Sequence, residues 1–295
     1  MVLLLLLVLL VPWASQAQLR VVTLHPMMTD LAKQVGGEHA QVTPLMQPGE
    51  NVHTFQPSSS DMSLASQADV LLASGKGLEL YLPRLRDTLG DTLVILEAGS
   101  AARSIRVSSS SAAFACCPHH AEGSLDPHWW HSIEAMKKAT HYIAKEFAKL
   151  APEHGPSFLA NAEAWQQELT ELERWTKREI SAIPRERRYL VTAHAAFGYF
   201  CRDYGLQSIP VAGLSKETIS SKYYSEALET IRKHQVRTVF PEKNTDPRIL
   251  DSLIEAAGLT RGQALIADAS VEGVTSYIAF MRHNVNAIVA GLTGS

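Results

Sequence analysis

The chain has 295 residues, room for about two domains, with 46% apolar residues and a formal charge of −3. A near-neutral charge without any Lys/Arg run excludes an electrostatic nucleic-acid binder. Three cysteines (Cys116, Cys117 and Cys201) exclude a disulfide scaffold, because an odd count leaves a thiol unpaired, whereas twelve histidines are many for this length and hint at metal.

The chain opens MVLLLLLVLLVPWASQAQ. The apolar run Val2–Val11 is about half the ~20 residues that a bilayer-spanning helix needs. It suits the apolar region of a secretory signal, and Ser15 and Ala17 offer small residues for a peptidase. The usual positive n-region is missing, and no cysteine marks a lipid anchor. The expectation is a signal peptide over residues 1–17 and a soluble, exported (periplasmic) chain from Gln18.

Apolar runs expected as strands then alternate with helical patterns. The strands are Arg20–Leu24, Gln41–Met46, Val70–Ser74 and Thr92–Leu96, with helices such as Met27–Val35 and Leu78–Leu89. This alternation argues for a parallel sheet covered on both faces. Ala98–Gly123 is a polar, small-residue loop, and Ile133–Leu150 resumes as helix. Next, Phe158, Ala162, Trp165, Leu169, Leu172, Thr176, Glu179 and Ile183 are spaced alternately by four and three, the first five apolar. No Gly or Pro interrupts after Pro156, so about 28 residues make a rod of roughly 42 Å.

The pattern restarts with strands Tyr189–Ala193, Ser208–Val211, Arg237–Phe240 and Ala264–Ala267. Helices Ala196–Tyr204, Ser225–His234, Pro247–Ala257 and Ser276–Leu292 accompany them. The expected fold is α/β: two Rossmann-like (β/α)4 lobes joined by one long rigid helix. The lobes span residues 18–151 and 185–295, and the connector 152–184.

Ligands of open α/β sheets bind beyond the carboxyl ends of the strands. His53 follows the second strand, His194 follows YLVTA, Asp268 follows ALIA, and His128 lies in the loop before the Ile133 helix. Three imidazoles and a carboxylate, two residues per lobe, suit a borderline divalent cation such as zinc. Singly, each has a plainer reading: a loop histidine for His53, a helix cap for His194, an N-cap or turn for Asp268.

Several segments together resemble the zinc/manganese-binding solute-binding proteins of metal ABC transporters. They are GGEHAQVTPLMQPGENVHTFQPSSSD, ASQADVLLASGKGLELYL, DPHWW, TAHAAFGYFCRDYGL and IADASVEGVTSYIAFMRHNV. The resemblance covers essentially the whole mature chain. It implies one metal site between the lobes, with His53, His128, His194 and Asp268 as ligands. It also implies a monomeric zinc receptor, not an enzyme, that delivers its ion to a membrane permease. Pro127 then fixes the loop presenting His128, and Trp130 packs near the site. Asp126 is either an orienting partner of a metal-bound imidazole or a turn residue.

Trp129 and His131 have no role that spacing assigns. His25 is a ligand candidate of lower rank, better suited to packing or to supporting a ligand. His141, His154, His234 and His283 are expected to be solvated. Cys116, Cys117, His119, His120 and Glu122 form either a loose metal collector or a plain linker. The segment GLSKETISSKYYSEAL matches the family only loosely.

Three imidazoles to one carboxylate favour zinc over manganese or iron, which more oxygen would suit. Two other classes remain as rivals. One is a zinc hydrolase with a metal-bound water and Asp268 as base, unsupported by HExxH or a nucleophile elbow. The other is a metal-dependent adhesin.

Overall fold

The computed structural model describes residues 17–90, 93–106, 125–211, 221–243, 248–268, 271 and 273–294. Cys116, Cys117, His119, His120 and Glu122, and all but the last residue of the expected signal peptide, lie outside the described residues.

Among the described residues, eight strands form two four-stranded sheets, every pairing between these strands parallel. The first contains β1 (Leu19–Thr23), β2 (Ala40–Pro44), β3 (Val70–Ala73) and β4 (Val94–Glu97), in the order β2-β1-β3-β4. The second contains β5 (Tyr189–Thr192), β6 (Gln207–Pro210), β7 (Thr238–Phe240) and β8 (Thr260–Arg261), in the order β6-β5-β7-β8. Each inner strand is a short apolar run because both faces are covered. All four residues of β3 are buried.

The covering helices are α1 (Pro26–Gly36), α2 (Ser59–Ser66), α3 (Leu82–Leu89), α4 (Ile133–Leu150) and α5 (Gly155–Ser181) before the second sheet. Within and after it come α6 (Gly198–Tyr204), α7 (Ser221–Lys233), α8 (Arg248–Ala257) and α9 (Tyr277–Thr293). Helix α2 has no counterpart among the expected elements, because Ala65 alone is buried in it. A capping box starts it: Ser58 Oγ accepts from the Asp61 N–H at 3.2 Å, and the Asp61 carboxylate accepts from the Ser58 N–H at 2.8 Å.

Helix α5 has 27 residues, hence about 40 Å. Phe158, Ala162, Trp165, Leu169, Leu172 and Thr176 are buried, as their spacing requires. The stripe then continues on Ile180, while Glu179 is half-buried. A 3.6-residue turn drifts away from an alternating four-three repeat, which brings the next position onto the core side. The largest of three apolar clusters among the described residues spans both sheets, the other two each lying against one sheet. It joins Met28 and Leu72 beside the first sheet to Phe158 and Leu169 of α5, and these to Phe240 and Ile288 beside the second.

The expected strand Ala264–Ala267 is not one. The fourth strand of the second sheet is β8, in register with β7 at Thr238–Thr260 and Val239–Arg261. At Gly262 a Cβ would stand 2.8 Å from the Phe240 ring, so the chain crosses that ring without a side chain. The register slips by one residue before a single bridge between Glu242 and Leu265. Side chains then take over the backbone groups that a ladder would satisfy. His283 Nε2 donates to the Ala264 carbonyl at 2.8 Å. The Asn284 amide accepts from the Ile266 N–H and donates to the Ile266 carbonyl, both at 2.8 Å.

Three of the four histidines expected to be solvated have partners; His141 alone is exposed. His154 is buried, stacked on His39 with centroids 4.3 Å apart. His234 bonds the Tyr189 hydroxyl at 2.8 Å, and His283 holds Ala264 as described. A helical position shows which face a residue takes, not what folds over that face.

Candidate metal centre

His53, His128, His194 and Asp268 converge, each offering a ligand atom within 4.8 Å of the others. Each arrives on backbone that a nearby polar group fixes. His53 follows β2 in a turn where the Asn51 side chain accepts its backbone N–H at 2.9 Å. His128 is fixed by Asp126, whose Oδ1 accepts the His128 backbone N–H at 2.9 Å and ring Nδ1–H at 2.8 Å. Asp126 is therefore both the turn residue and the partner that orients the imidazole. Gly198, at the start of α6, makes room for its carboxylate, since a Cβ there would lie 2.8 Å from Oδ2.

His194 stands just beyond β5. Glu242, just beyond β7, accepts its backbone N–H at 2.9 Å and also its ring Nδ1–H. A proton held on Nδ1 leaves the Nε2 lone pair of His128 and of His194 facing the cleft.

The inner atoms are close. His128 Nε2 lies 3.4 Å from His53 Nε2 and 3.3 Å from Asp268 Oδ1. Asp268 Oδ2 lies 3.4 Å from His194 Nε2 and 3.5 Å from His53 Nε2. Around an ion with ligands at about 2.0–2.1 Å, a tetrahedral edge measures ~3.3 Å. His194 Nε2 is buried without a hydrogen-bond partner, an expensive arrangement unless a cation takes its lone pair.

Charge in the cluster follows from burial and neighbours. Burial depresses the His53 imidazole, and the Asp268 charge opposes this only in part. Burial also acts to lower His194, but the Glu242 and Asp268 carboxylates outweigh it and hold the ring well above its usual value. His128 is raised in the same way, by Asp126 and Asp268 against burial. Burial would raise Asp268, yet the surrounding imidazoles hold it well below the usual carboxylate range.

His25 is not one of the four. It caps α1, its Nδ1 accepting from the Met27 N–H at 3.1 Å, and its ring lies 4.4 Å from that of Trp130. Trp130 packs beside His128 as expected, with centroids 5.3 Å apart. Trp129 and His131, unassigned by spacing, are both buried. Trp129 Nε1 donates to the Ser74 carbonyl and hydroxyl, at 3.1 and 3.0 Å. His131 Nε2 donates to the Ala267 carbonyl at 2.9 Å. Glu242 escaped the sequence reading, though it stands where His194 does, the first polar residue past a buried strand and two positions beyond its end. Much of the loosely matching segment after Ala212 lies outside the described residues.

Comparison with known proteins gives the family. Residues 21–291 match the family model described as zinc-uptake complex component A, periplasmic. The manganese-binding lipoprotein MntA of Bacillus subtilis (strain 168) is 31% identical, over 95% of this chain and 91% of that protein. The zinc-binding protein TroA of Treponema pallidum (strain Nichols) is 28% identical over 95% and 90%. The solved structure of periplasmic zinc-binding protein TroA from Treponema pallidum superposes with a TM-score of 0.80 at 26% identity, covering 94% of this chain and 100% of that one. A Mn-bound periplasmic metal-binding protein from Candidatus Liberibacter asiaticus shares the fold, with TM-score 0.82, 20% identity, and 92% and 99% coverage. A match over nearly the whole length, on a fold of two parallel sheets and one long helix, makes this chain a member of the family of periplasmic zinc-uptake component A, the metal-binding component of ABC transporters.

Proposed function

We propose that His53, His128, His194 and Asp268 bind one divalent cation, zinc in preference, and that the protein is an exported receptor passing this ion to a membrane permease. The observation that carries the reading is the four inner-atom separations of 3.3 to 3.5 Å, with a buried His194 Nε2 that makes no hydrogen bond and faces Asp268. Those four are close to the edge of a tetrahedral shell of nitrogen and oxygen, and all the ligand atoms lie within 4.8 Å of one another.

Three nitrogens to one carboxylate favour zinc. Manganese is the second reading, favoured by the relative named for that metal. The metal is cargo in either case. A hydrolase would need one coordination position left for water; the nearness of the Asp268 carboxylate to the three imidazoles supports a fourth protein ligand instead. Among the described residues no helix is long and apolar enough to cross a membrane.

The test is titration of metal-free protein with zinc and with manganese against a competing chelator. One tight equivalent is expected, stronger for zinc. Unchanged affinity in both His128→Ala and His194→Ala would overturn the ligand assignment.

A further inference from the structure

Asp268 does not follow a strand directly. His194 follows β5 directly, but the chain leaves the second sheet at Gly262, and Asp268 comes six residues later on irregular backbone. Something else must set its position.

Two donors from the other side of the cleft meet the residue before it. Trp130 Nε1 and His131 Nε2 both donate to the Ala267 carbonyl, each at 2.9 Å. A carbonyl oxygen has two lone pairs, and here both are used. Both side chains are fully buried. The His131 ring is wedged between Phe197 and Phe280, with centroids 4.4 and 5.2 Å away, and its Nδ1 has no hydrogen-bond partner. A buried, unsatisfied acceptor is a standing cost, so an apolar residue of the same shape would pack better unless the Nε2 bond matters.

Trp130 is held in turn. Its backbone carbonyl accepts from the Tyr277 hydroxyl at 2.8 Å, and the Tyr277 N–H donates to Asp30 Oδ2 at 2.7 Å. The clamp is thus tied to the start of α9 and the middle of α1. Trp130 and His131 also occupy the single short turn, Trp129–His131, that directly follows His128. The turn that presents one ligand therefore grips the backbone beside another.

We propose that Trp130 and His131 are positioning residues which, through the Ala267 carbonyl, set the distance of the Asp268 carboxylate from the three imidazoles. The proposal rests on the reading of those four side chains as the metal site. In it, His128 and Asp268, from opposite lobes, move as one unit, and the clamp acts on the ion only through Asp268.

The experiment is a double-mutant cycle on the full chain, read as chelator-competed zinc affinity and as the visible absorption of bound cobalt(II). Variants are His131→Phe, Asp268→Ala and the two combined. His131→Phe should weaken zinc about 10- to 100-fold, the usual range for partners that support a ligand. It should also alter the cobalt spectrum. With Asp268 already replaced by alanine, the same change should alter affinity less than about twofold, because the group it positions is gone. An equal loss in both backgrounds, with an unaltered cobalt spectrum, would overturn the clamp and leave His131 a packing residue. Asp268→Ala with wild-type affinity would instead overturn the metal-site reading itself. Should His131→Phe fail to fold, Trp130→Phe removes the other donor and carries the same cycle with the same outcomes.

Discussion

Glu242 grips His194 twice, by the backbone N–H at 2.9 Å and by the ring Nδ1–H, with both side chains almost fully enclosed. One carboxylate therefore fixes the position, rotamer and tautomer of a single imidazole. Glu242→Gln keeps an oxygen for one N–H but removes the charge, and it sets an amide donor against the other. Zinc affinity should fall by about 10- to 100-fold. Chelator competition on metal-free protein measures this, and an unchanged affinity would show that the pair is merely structural.

The same pair decides how the metal preference can be redesigned. His194→Glu offers manganese a second oxygen, but it places the new carboxylate against Glu242 and Asp268, where like charges repel. Alone, the substitution should weaken both metals. Combined with Glu242→Gln it should recover manganese binding in preference to zinc. Parallel titrations of the single and double variants with the two metals decide the matter; a single variant that already binds manganese tightly would contradict the argument.

Metal uptake should release protons at neutral pH. Burial acts to lower His194, but Glu242 and Asp268 raise it well above its usual value, and His128 is raised likewise by Asp126 and Asp268. These rings therefore take up a proton on Nε2, in competition with the ion, at higher pH than a free imidazole does, while burial makes His53 harder to protonate. Affinity therefore falls as pH drops below the raised values and levels off above them. From pH 7.5 to 5.5 the fall should exceed a one-proton slope. Calorimetry in two buffers of different ionisation enthalpy counts the protons released.

Glu79 lies apart from the cleft and gives a pH effect on stability. Burial pushes its carboxyl up to about 7, although the backbone N–H groups of Gly75 and Ser74 pull the other way. The folded state thus keeps a proton that the unfolded chain gives up near 4.5. A raised value means stability that is complete below about 4.5 and is lost as pH climbs to about 7, by up to ~3 kcal/mol. Urea unfolding of metal-free protein at several pH values should show this decline. In Glu79→Gln the decline across that window should be shallower, whatever the substitution does to stability overall.

The sequence made the sheets readable because buried parallel strands are apolar runs, and it named all four clustered residues, His53, His128, His194 and Asp268. Only His194 stands directly past a strand; His53 and His128 lie in longer loops, and Asp268 follows a segment that merely reads as a strand. Other features leave no local trace. Helix α2 buries Ala65 alone, so it has no apolar period. The ALIAD segment looks like a strand because it is buried, yet apart from the one bridge that Leu265 makes past β7 its backbone partners are the side chains of Asn284, His283, Trp130 and His131. Bonds such as that from Trp130 to Ala267 join residues 137 positions apart, and no periodicity encodes them. Glu242 was readable by the strand-end rule and is the one omission that the rule itself would have repaired.

The large apolar cluster that joins both sheets through α5 bears on how the molecule comes apart. Two sheets that share packing at Phe158, Leu169 and Ile288 cannot melt independently, since exposing either side strips contacts from the other. Heating should give one endotherm with matching calorimetric and van't Hoff enthalpies. A saturating ion should shift that endotherm whole, instead of splitting it into a loaded and an unloaded half. A receptor built this way surrenders its cargo by local loosening around the cleft, with the scaffold on either side remaining intact.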